Sequence, residues 1–375
     1  MNLHVFNDVH GFFLNLTVKR FTENDAMQNN FFINLNNKSI YKNEKVKYLK
    51  KNTLSFKQVI KSLPIIQSVT FYPFDFTAAA FLNQLQKMQP SIKVNWVFWG
   101  YEFYHRPDNE KQMFDEFSSA YYKKQFSFFK NSKQSLFNII KSILLVPVFD
   151  KQFLADGYAK INRFYSFLPQ DFKNGFQNNN NACEYYPISF LSIEEITEKI
   201  VWGNITNEVM VGHAASPSLN HAEILDMLHA ISFSGKLFLP LEYGEEEYRK
   251  EIKNKANDLF NSNVVFLENR LTMPEYYQRL SVVGFAIFNF RWQEALGNIL
   301  FLVWNGTKIF LKQDSSVYKQ FISWRLIVFS IEQQLNKESI TQLLTVDERQ
   351  NNKRIIEELF SEQKVKNYWN ALIEK

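Results

Sequence analysis

FAIFNFRWQEALGNILFLVWNGTKI, residues 285–309, decides the fold. It opens as an apolar strand, Phe285-Ala286-Ile287-Phe288, and stops at a polar turn carrying Arg291, Gln293 and Glu294. It restarts through Gly297-Asn298 into an apolar helix over Ile299–Trp304, and a second strand follows Gly306. A strand ending in polar residues and glycine just before a helix N-terminus is how α/β proteins hold an anion. The first-turn N–H groups lack intrahelical partners, and the helix dipole concentrates positive potential there. Arg291 would add a planar, bidentate charge at the same mouth. The plainer reading is an ordinary βαβ crossover with a polar loop.

Working outward, the same alternation recurs. In the first half, strands at Asn2–Phe6, Phe31–Ile33, Ser68–Tyr72 and Ile92–Trp99 alternate with helices over Phe12–Phe21, Phe56–Leu63 and Thr77–Met88. In the second, strands at Glu208–Val211, Lys236–Pro240 and Val264–Phe266 alternate with helices over Ala222–Ile231, Glu245–Phe260 and Met273–Leu280. A last helix is expected over Asn351–Glu374, and Gly175–Pro187, with its run Asn178–Asn181, reads as a surface loop. Strands apolar on both faces and separated by helices predict parallel sheets covered on both sides. The expected division is an acceptor-binding domain at 1–203, a nucleotide-sugar-binding domain at 204–350 and a terminal helix at 351–375 packing back on the first. Two such sheets would make a cleft walled by the loops after Phe6, Trp99, Val211, Leu239 and Phe290.

Composition narrows the class. The 375 residues suffice for two domains, and 46% apolar content is that of a globular protein. One cysteine, Cys183, excludes an intrachain disulfide and fits a reducing cytoplasm. The chain enters a strand at once, so no signal peptide is expected, and Ile139–Phe149, its most apolar window, is broken by Lys141 and Pro147. A net charge of +5 suits an anionic partner, but no nucleic-acid motif is present. Between Met113 and Leu145, lysines alternate with aromatics: Lys123, Lys124, Lys130, Lys133 and Lys141 with Tyr121, Tyr122, Phe126, Phe128, Phe129 and Phe137. Such a segment could meet anionic headgroups at a membrane surface, or it could be core helices with a solvated lysine face.

Read in order, several clusters belong together: His4-Val5-Phe6-x-Asp8, Trp99-Gly100-Tyr101-Glu102-Phe103-Tyr104, Val211-Gly212-His213 with Ser216 and Asn220-His221, Pro240-Leu241-x-Tyr243-Gly244, Met273-x-Glu275-Tyr276, and Arg291-x-Gln293-x-x-x-Gly297-Asn298. This order resembles the glycosyltransferase family 56 proteins, the TDP-N-acetylfucosamine:lipid II N-acetylfucosaminyltransferases, often labelled 4-alpha-L-fucosyltransferases. The resemblance spans nearly the whole chain and is densest over Val209–Phe310. It departs from the pattern of the enterobacterial members at Glu102, where they have Asp, at Arg291-Trp292-Gln293-Glu294, and at Ala215-Ser216. It implies an α/β GT-B fold, two Rossmann-like domains facing each other across a cleft. It also implies transfer of a 4-acetamido-4,6-dideoxyhexose from a dTDP-sugar to a lipid-linked acceptor, a polyprenyl-diphosphate-linked saccharide, at the cytoplasmic face of the bacterial inner membrane.

Sugar transfer from a nucleotide needs a cradle for the leaving diphosphate, a seat for base and ribose, and a base for the acceptor hydroxyl. The sequence contains no Asp-x-Asp and no H-E-x-x-H, so no metal and no cofactor is expected, and positive dipoles and side chains must screen the diphosphate. Gly297, Asn298, Arg291 and the turn Gly212-His213 to Ser216, with Gln293, are the candidates. Tyr243 is placed to stack on the nucleobase and Glu275 to accept from ribose, unless they are a core tyrosine and a helix cap. For the base, Glu102, Asp8 and His10 each follow a strand of the first series, and the aromatic surroundings of Glu102 would raise its pKa. Lys123, Lys124, Lys130 and Lys133 would face the membrane. The alternatives are a non-catalytic sugar-nucleotide or polysaccharide binding module and a sugar-nucleotide epimerase on the same fold.

Overall fold

The computed structural model describes every residue except 41, 105–112, 131–150, 174–181, 202 and 375, and the side chains of 53, 124–130 and 151–153 are likewise outside the description. The chain forms two compact units, one of Met1–His105, Phe129–Phe190 and Val365–Lys375, the other of Arg106–Phe128 and Leu191–Lys364.

The first unit is built on seven strands: β1 (Asn2–Phe6), β2 (Asn30–Asn34), β3 (Val46–Tyr48), β4 (Ser68–Tyr72), β5 (Lys93–Val97), β6 (Arg163–Ser166) and β7 (Glu184–Pro187). All pair in parallel, in the order β3-β2-β1-β4-β5-β6-β7. Alternation along the strands sorts side chains to two cores. Leu3, Val5, Ile33, Val69, Phe71, Val94 and Trp96 join one, covered by the helices Thr53–Ser62, Phe76–Gln86 and Lys151–Tyr158. Phe6, Phe32, Tyr72, Val97 and Tyr165 join the other, with Leu14, Val18 and Phe21 of the helix Phe12–Glu23. Val365, Trp369 and Leu372 of the helix Glu362–Ile373 complete that second core, where the Trp369 indole N–H donates to the Ser189 carbonyl at 2.8 Å.

The second unit carries β8 (Val209–Val211), β9 (Leu237–Pro240), β10 (Val264–Leu267), β11 (Phe285–Phe288), β12 (Lys308–Leu311) and β13 (Phe329–Ser330). These too are all parallel, in the order β10-β9-β8-β11-β12-β13. The helices His221–Ala230 and Glu246–Phe260 cover one face through Leu225, Leu228, Tyr248 and Ile252. The helix Leu296–Asn305 packs against Val346–Phe360. Each sheet thus has the doubly wound order in which successive strands step outward from the first and then continue from its other side.

Several expectations need correction. β3, β6, β7 and β13 are absent from the sequence reading, and Glu184–Pro187, read as loop, is an edge strand. The run Asn178–Asn181 lies outside the described residues. The last helix is two: Ser361 is extended (φ −60, ψ 158), ending Val346–Phe360, and the Glu362 amide donates to the Glu194 carboxylate at 2.9 Å. Only Val365–Lys375 belongs with the first unit, while 191–203 and 106–128 belong with the second. Of the lysine–aromatic segment, Tyr121 is buried in the core of the second unit, its ring 5.2 Å from that of Tyr248, rather than exposed to a bilayer. Lys123 is exposed, whereas the side chains of Lys124 and Lys130, and Lys133 and Lys141 altogether, lie outside the described residues.

Candidate functional site

In a doubly wound sheet the loops beyond the carboxyl ends diverge where the strand order reverses, and the crevice between them is the usual ligand seat. In the second unit that point lies between β8 and β11, so the loops Gly212–Asn220 and Asn289–Ala295 flank it.

The β8 loop needs its glycine. Gly212 has φ +66, and a Cβ there would fall 2.2 Å from His221 Nε2. His221 is buried, its Nδ1 is 3.3 Å from the Tyr248 hydroxyl, and its Nε2 has no partner. His213 is also buried, with Nδ1 unpartnered and Nε2 3.9 Å from Glu294 Oε1. Burial pushes both histidines down to about 3, so each imidazole is neutral. Burial pushes the Glu294 carboxyl up to about 7, so the His213–Glu294 contact is not a full ion pair. Glu294 instead accepts from the Ser218 hydroxyl at 3.2 Å, and Ser218 lies 2.7 Å from Ser216.

Below these, a polar knot ties the loops together. The Asn220 side chain donates to the carbonyls of Met113, Ser218 and Asn289 and accepts from the Asp115 amide at 2.8 Å. Asn289 donates to the Asp115 carboxylate at 2.9 Å. Arg291 donates to Asp115 Oδ1 at 2.6 Å and to the Met113 carbonyl at 3.0 Å, and Lys312 approaches the same carboxylate at 3.4 Å. Burial raises the Asp115 carboxyl, but Arg291 and Lys312 outweigh it and hold the group below its usual range. The guanidinium expected to stand free at the mouth is therefore already matched by a carboxylate. It still lines a groove of ≈490 Å³ with Lys312, Gln313, Asp314, Lys319 and Glu332.

The helix Leu296–Asn305 begins three residues earlier than the periodicity suggested. Ala295 precedes it in the left-handed region (φ 54) with no side-chain cap, so Gly297 and Asn298 lie in the first turn. Gly297 allows close approach of Tyr277, whose hydroxyl would be 3.2 Å from a Cβ, and Asn298 donates to the Tyr276 hydroxyl at 3.2 Å. Nearby, the Gln293 side-chain oxygen is buried without a partner.

The β9 loop is laced to the β8 loop: the Ala215 amide donates to the Tyr243 carbonyl at 2.7 Å, and the Glu245 amide to the Ala215 carbonyl at 2.8 Å. Tyr243 is 49% exposed, with its ring 6.1 Å from that of His213. Glu275 takes the capping alternative: it accepts from the Thr272 hydroxyl and amide at 2.7 and 2.9 Å, bonds that hold its carboxyl below the usual range.

In the first unit, Glu102 is 6% exposed, and its Oε1 accepts from the Trp96 indole at 3.0 Å and the Trp99 amide at 2.9 Å. Its Oε2 is buried without a partner, and burial pushes the carboxyl up to about 8. The aromatic setting acts as expected, but the carboxyl points inward. Asp8 is buried, its carboxylate accepting from the amides of His10, Gly11 and Leu14 at 2.9, 2.7 and 3.2 Å, which fixes the turn into the helix Phe12–Glu23. His10 alone of the three is exposed.

Sequence reasoning missed Asp115, Ser218 and Glu294 as members of this constellation. Glu294 stood in the polar turn, and Ser218 sat between residues already singled out. Asp115 carried no signal, since its partners lie more than a hundred residues away. Among the described residues, no group of three or more His, Cys, Asp or Glu side chains is placed to hold a metal ion, and no helix is long and apolar enough to cross a membrane.

Solved structures resemble the chain along its whole length. A trehalose-6-phosphate phosphatase N-terminal domain from Candida albicans aligns with a TM-score of 0.63 at 11% identity, covering 99% of this chain and 95% of that one. An E. coli structure bound with UDP-2-fluoro glucose aligns at 0.63 and 8% identity, covering 100% and 98%. An alpha,alpha-trehalose 6-phosphate synthase from Burkholderia multivorans aligns at 0.63 and 9% identity, covering 100% and 95%. These likenesses give the architecture, two Rossmann-like units of the GT-B type. A comparison with curated sequences gives no match. Residues 170–374 match the model of the family described as 4-alpha-L-fucosyltransferase glycosyl transferase group 56, and the chain belongs to that family. It is a glycosyltransferase.

Proposed function

We propose that the enzyme moves a 4-acetamido-4,6-dideoxyhexose from a dTDP-sugar to a polyprenyl-diphosphate-linked saccharide at the cytoplasmic face of the bacterial inner membrane. The observation that carries the donor side is the uncapped first turn of Leu296–Asn305 at the β8/β11 reversal, entered through the left-handed Ala295. As the anomeric bond breaks, negative charge grows on the diphosphate, and fixed N–H dipoles of Gly297 and Asn298 with the Gly212–Ser216 turn would stabilise it without a cation. Tyr243 offers an exposed ring for the nucleobase. Arg291 acts by holding the 113–115 segment, as its contacts with Asp115 and Met113 suggest.

For the acceptor hydroxyl, His10 is the favoured base, because it is exposed whereas Asp8 and Glu102 are buried. Membrane association would rest on Lys123, Lys124, Lys130 and Lys133; their replacement by Glu should release the protein from anionic vesicles, and unchanged binding refutes that surface.

The central test is a thermal-shift panel of dTDP, UDP and GDP with and without EDTA. A nucleotide at a hundredfold over its Kd stabilises the fold by about 2.7 kcal/mol. No shift with any nucleotide removes the donor site, and loss of the shift in EDTA removes the cation-free cradle.

A further inference from the structure

At the carboxyl ends of β9 and β10, beside Tyr243, stand two charged groups that nothing above uses. Glu242 is the second residue past β9, and its Oε2 is buried without a hydrogen-bond partner. A buried acceptor left empty is costly, and its retention points to a donor that arrives with a ligand. Arg270 follows β10 and is exposed. The two charges act on each other, yet among the described contacts no ion pair closes between them. Arg249, the other cation acting on Glu242, is held by Glu246 at 2.8 Å. Burial also raises the Glu242 carboxyl, as expected for an acceptor without its donor. Tyr243 supplies a half-exposed ring one residue further on.

An acceptor, a guanidinium and an aromatic face together match the edge and face of a planar ring. We infer that Glu242 and Arg270 read the hydrogen-bonding edge of the donor's nucleobase, Glu242 accepting from a ring N–H and Arg270 donating to the adjoining carbonyl. With the dTDP donor proposed above that base is a pyrimidine dione, in which N3–H lies between two carbonyls. In cytosine the same position is a lone pair, which would face the carboxylate and be repelled. The inference rests on the donor-site reading above, and it adds the residues that select the base.

The test is calorimetric titration of dTDP, dCDP and inorganic diphosphate into wild type, Glu242→Gln and Arg270→Gln. Wild type should favour dTDP over dCDP by about tenfold or more, the range of a hydrogen bond to a charged group. Glu242→Gln should bring the ratio close to one, and Arg270→Gln should weaken dTDP about tenfold, while both leave diphosphate affinity unchanged. A preference that survives Glu242→Gln overturns the inference and leaves the donor site standing, as does equal binding of dTDP and dCDP by wild type. Failure of wild type to bind dTDP and diphosphate overturns the donor reading, and the inference with it. Should circular dichroism show Glu242→Gln unfolded, Arg270→Gln, on an exposed loop, decides alone: unchanged dTDP affinity refutes the edge reading.

Discussion

The Ser218 hydroxyl and the Glu294 carboxylate meet at 3.2 Å, joining the loop that leaves β8 to the turn that leaves β11. That bond spans the reversal point of the sheet. Glu294 is held near neutral pH by burial, with a pKa pushed up to about 7. Its charge therefore changes within the working range, beside the helix turn proposed above to hold the diphosphate. A deprotonated carboxylate repels an anion, so dTDP affinity should strengthen as pH falls through about 7 beyond what the nucleotide's own titration accounts for. Glu294→Gln should remove that extra dependence in calorimetric titrations at pH 6 to 8; identical profiles for the two proteins would place Glu294 away from the nucleotide.

Glu102 gives a second pH prediction. Its folded pKa, raised to about 8, lies above the carboxyl's ordinary value, so the neutral form is favoured in the folded state. The stability this contributes is complete at pH below about 4.3 and is lost as pH rises through about 8. Glu102→Gln mimics the neutral carboxyl and retains an acceptor for Trp96 and Trp99. Its melting temperature should fall less than that of wild type between pH 5 and 8.5. Transfer activity should persist in Glu102→Gln and drop at least tenfold in His10→Ala; the reverse pattern restores Glu102 as the base.

Gly212→Ala should cost about 2–4 kcal/mol, combining a left-handed backbone with a Cβ driven into the His221 ring. Chemical denaturation measures it, and a loss under about 0.5 kcal/mol would show that the loop has room to shift.

Arg291→Ala leaves Asp115 with Lys312 and Asn289 alone and the Met113 carbonyl without its guanidinium donor. A cost of about 1–3 kcal/mol is expected, the range for hydrogen bonds to charged groups. Asp115 is depressed in the folded state, so its contribution is present above the ordinary Asp pKa and lost as pH falls through the folded value. Wild type should accordingly lose more stability on acidification than Arg291→Ala. Equal acid sensitivity would show that the pair contributes nothing.

Much of the architecture was legible because apolar strands announce themselves by length and by the turn residues that follow. Ser68–Tyr72 and Met273–Leu280 were read to the residue. The edge strands were not, since Glu184–Pro187 and Arg163–Ser166 carry polar and aromatic residues in runs of four, too short to establish a period. The site was half legible. Gly212 stood out because the turn leaving β8 takes a left-handed residue, which glycine supplies at φ +66. Whether a charged group is open or spent is settled by the backbone conformation and partners it meets in the fold. Asp8 is consumed by three amides close in sequence, Glu275 by its own helix cap, and Arg291 by a partner at Asp115 that no local pattern could locate.

Trp369, with Val365 and Leu372, lies in a core whose other buried members come from the first 190 residues, and the helix Glu116–Lys130 sends Tyr121 into a core assembled mainly after residue 191. Neither half can therefore be excised as one uninterrupted fragment. A protein cut after Phe190 would leave the first piece missing an indole from its interior and the second missing a tyrosine. Two co-expressed fragments could restore activity only by exchanging those segments as they associate.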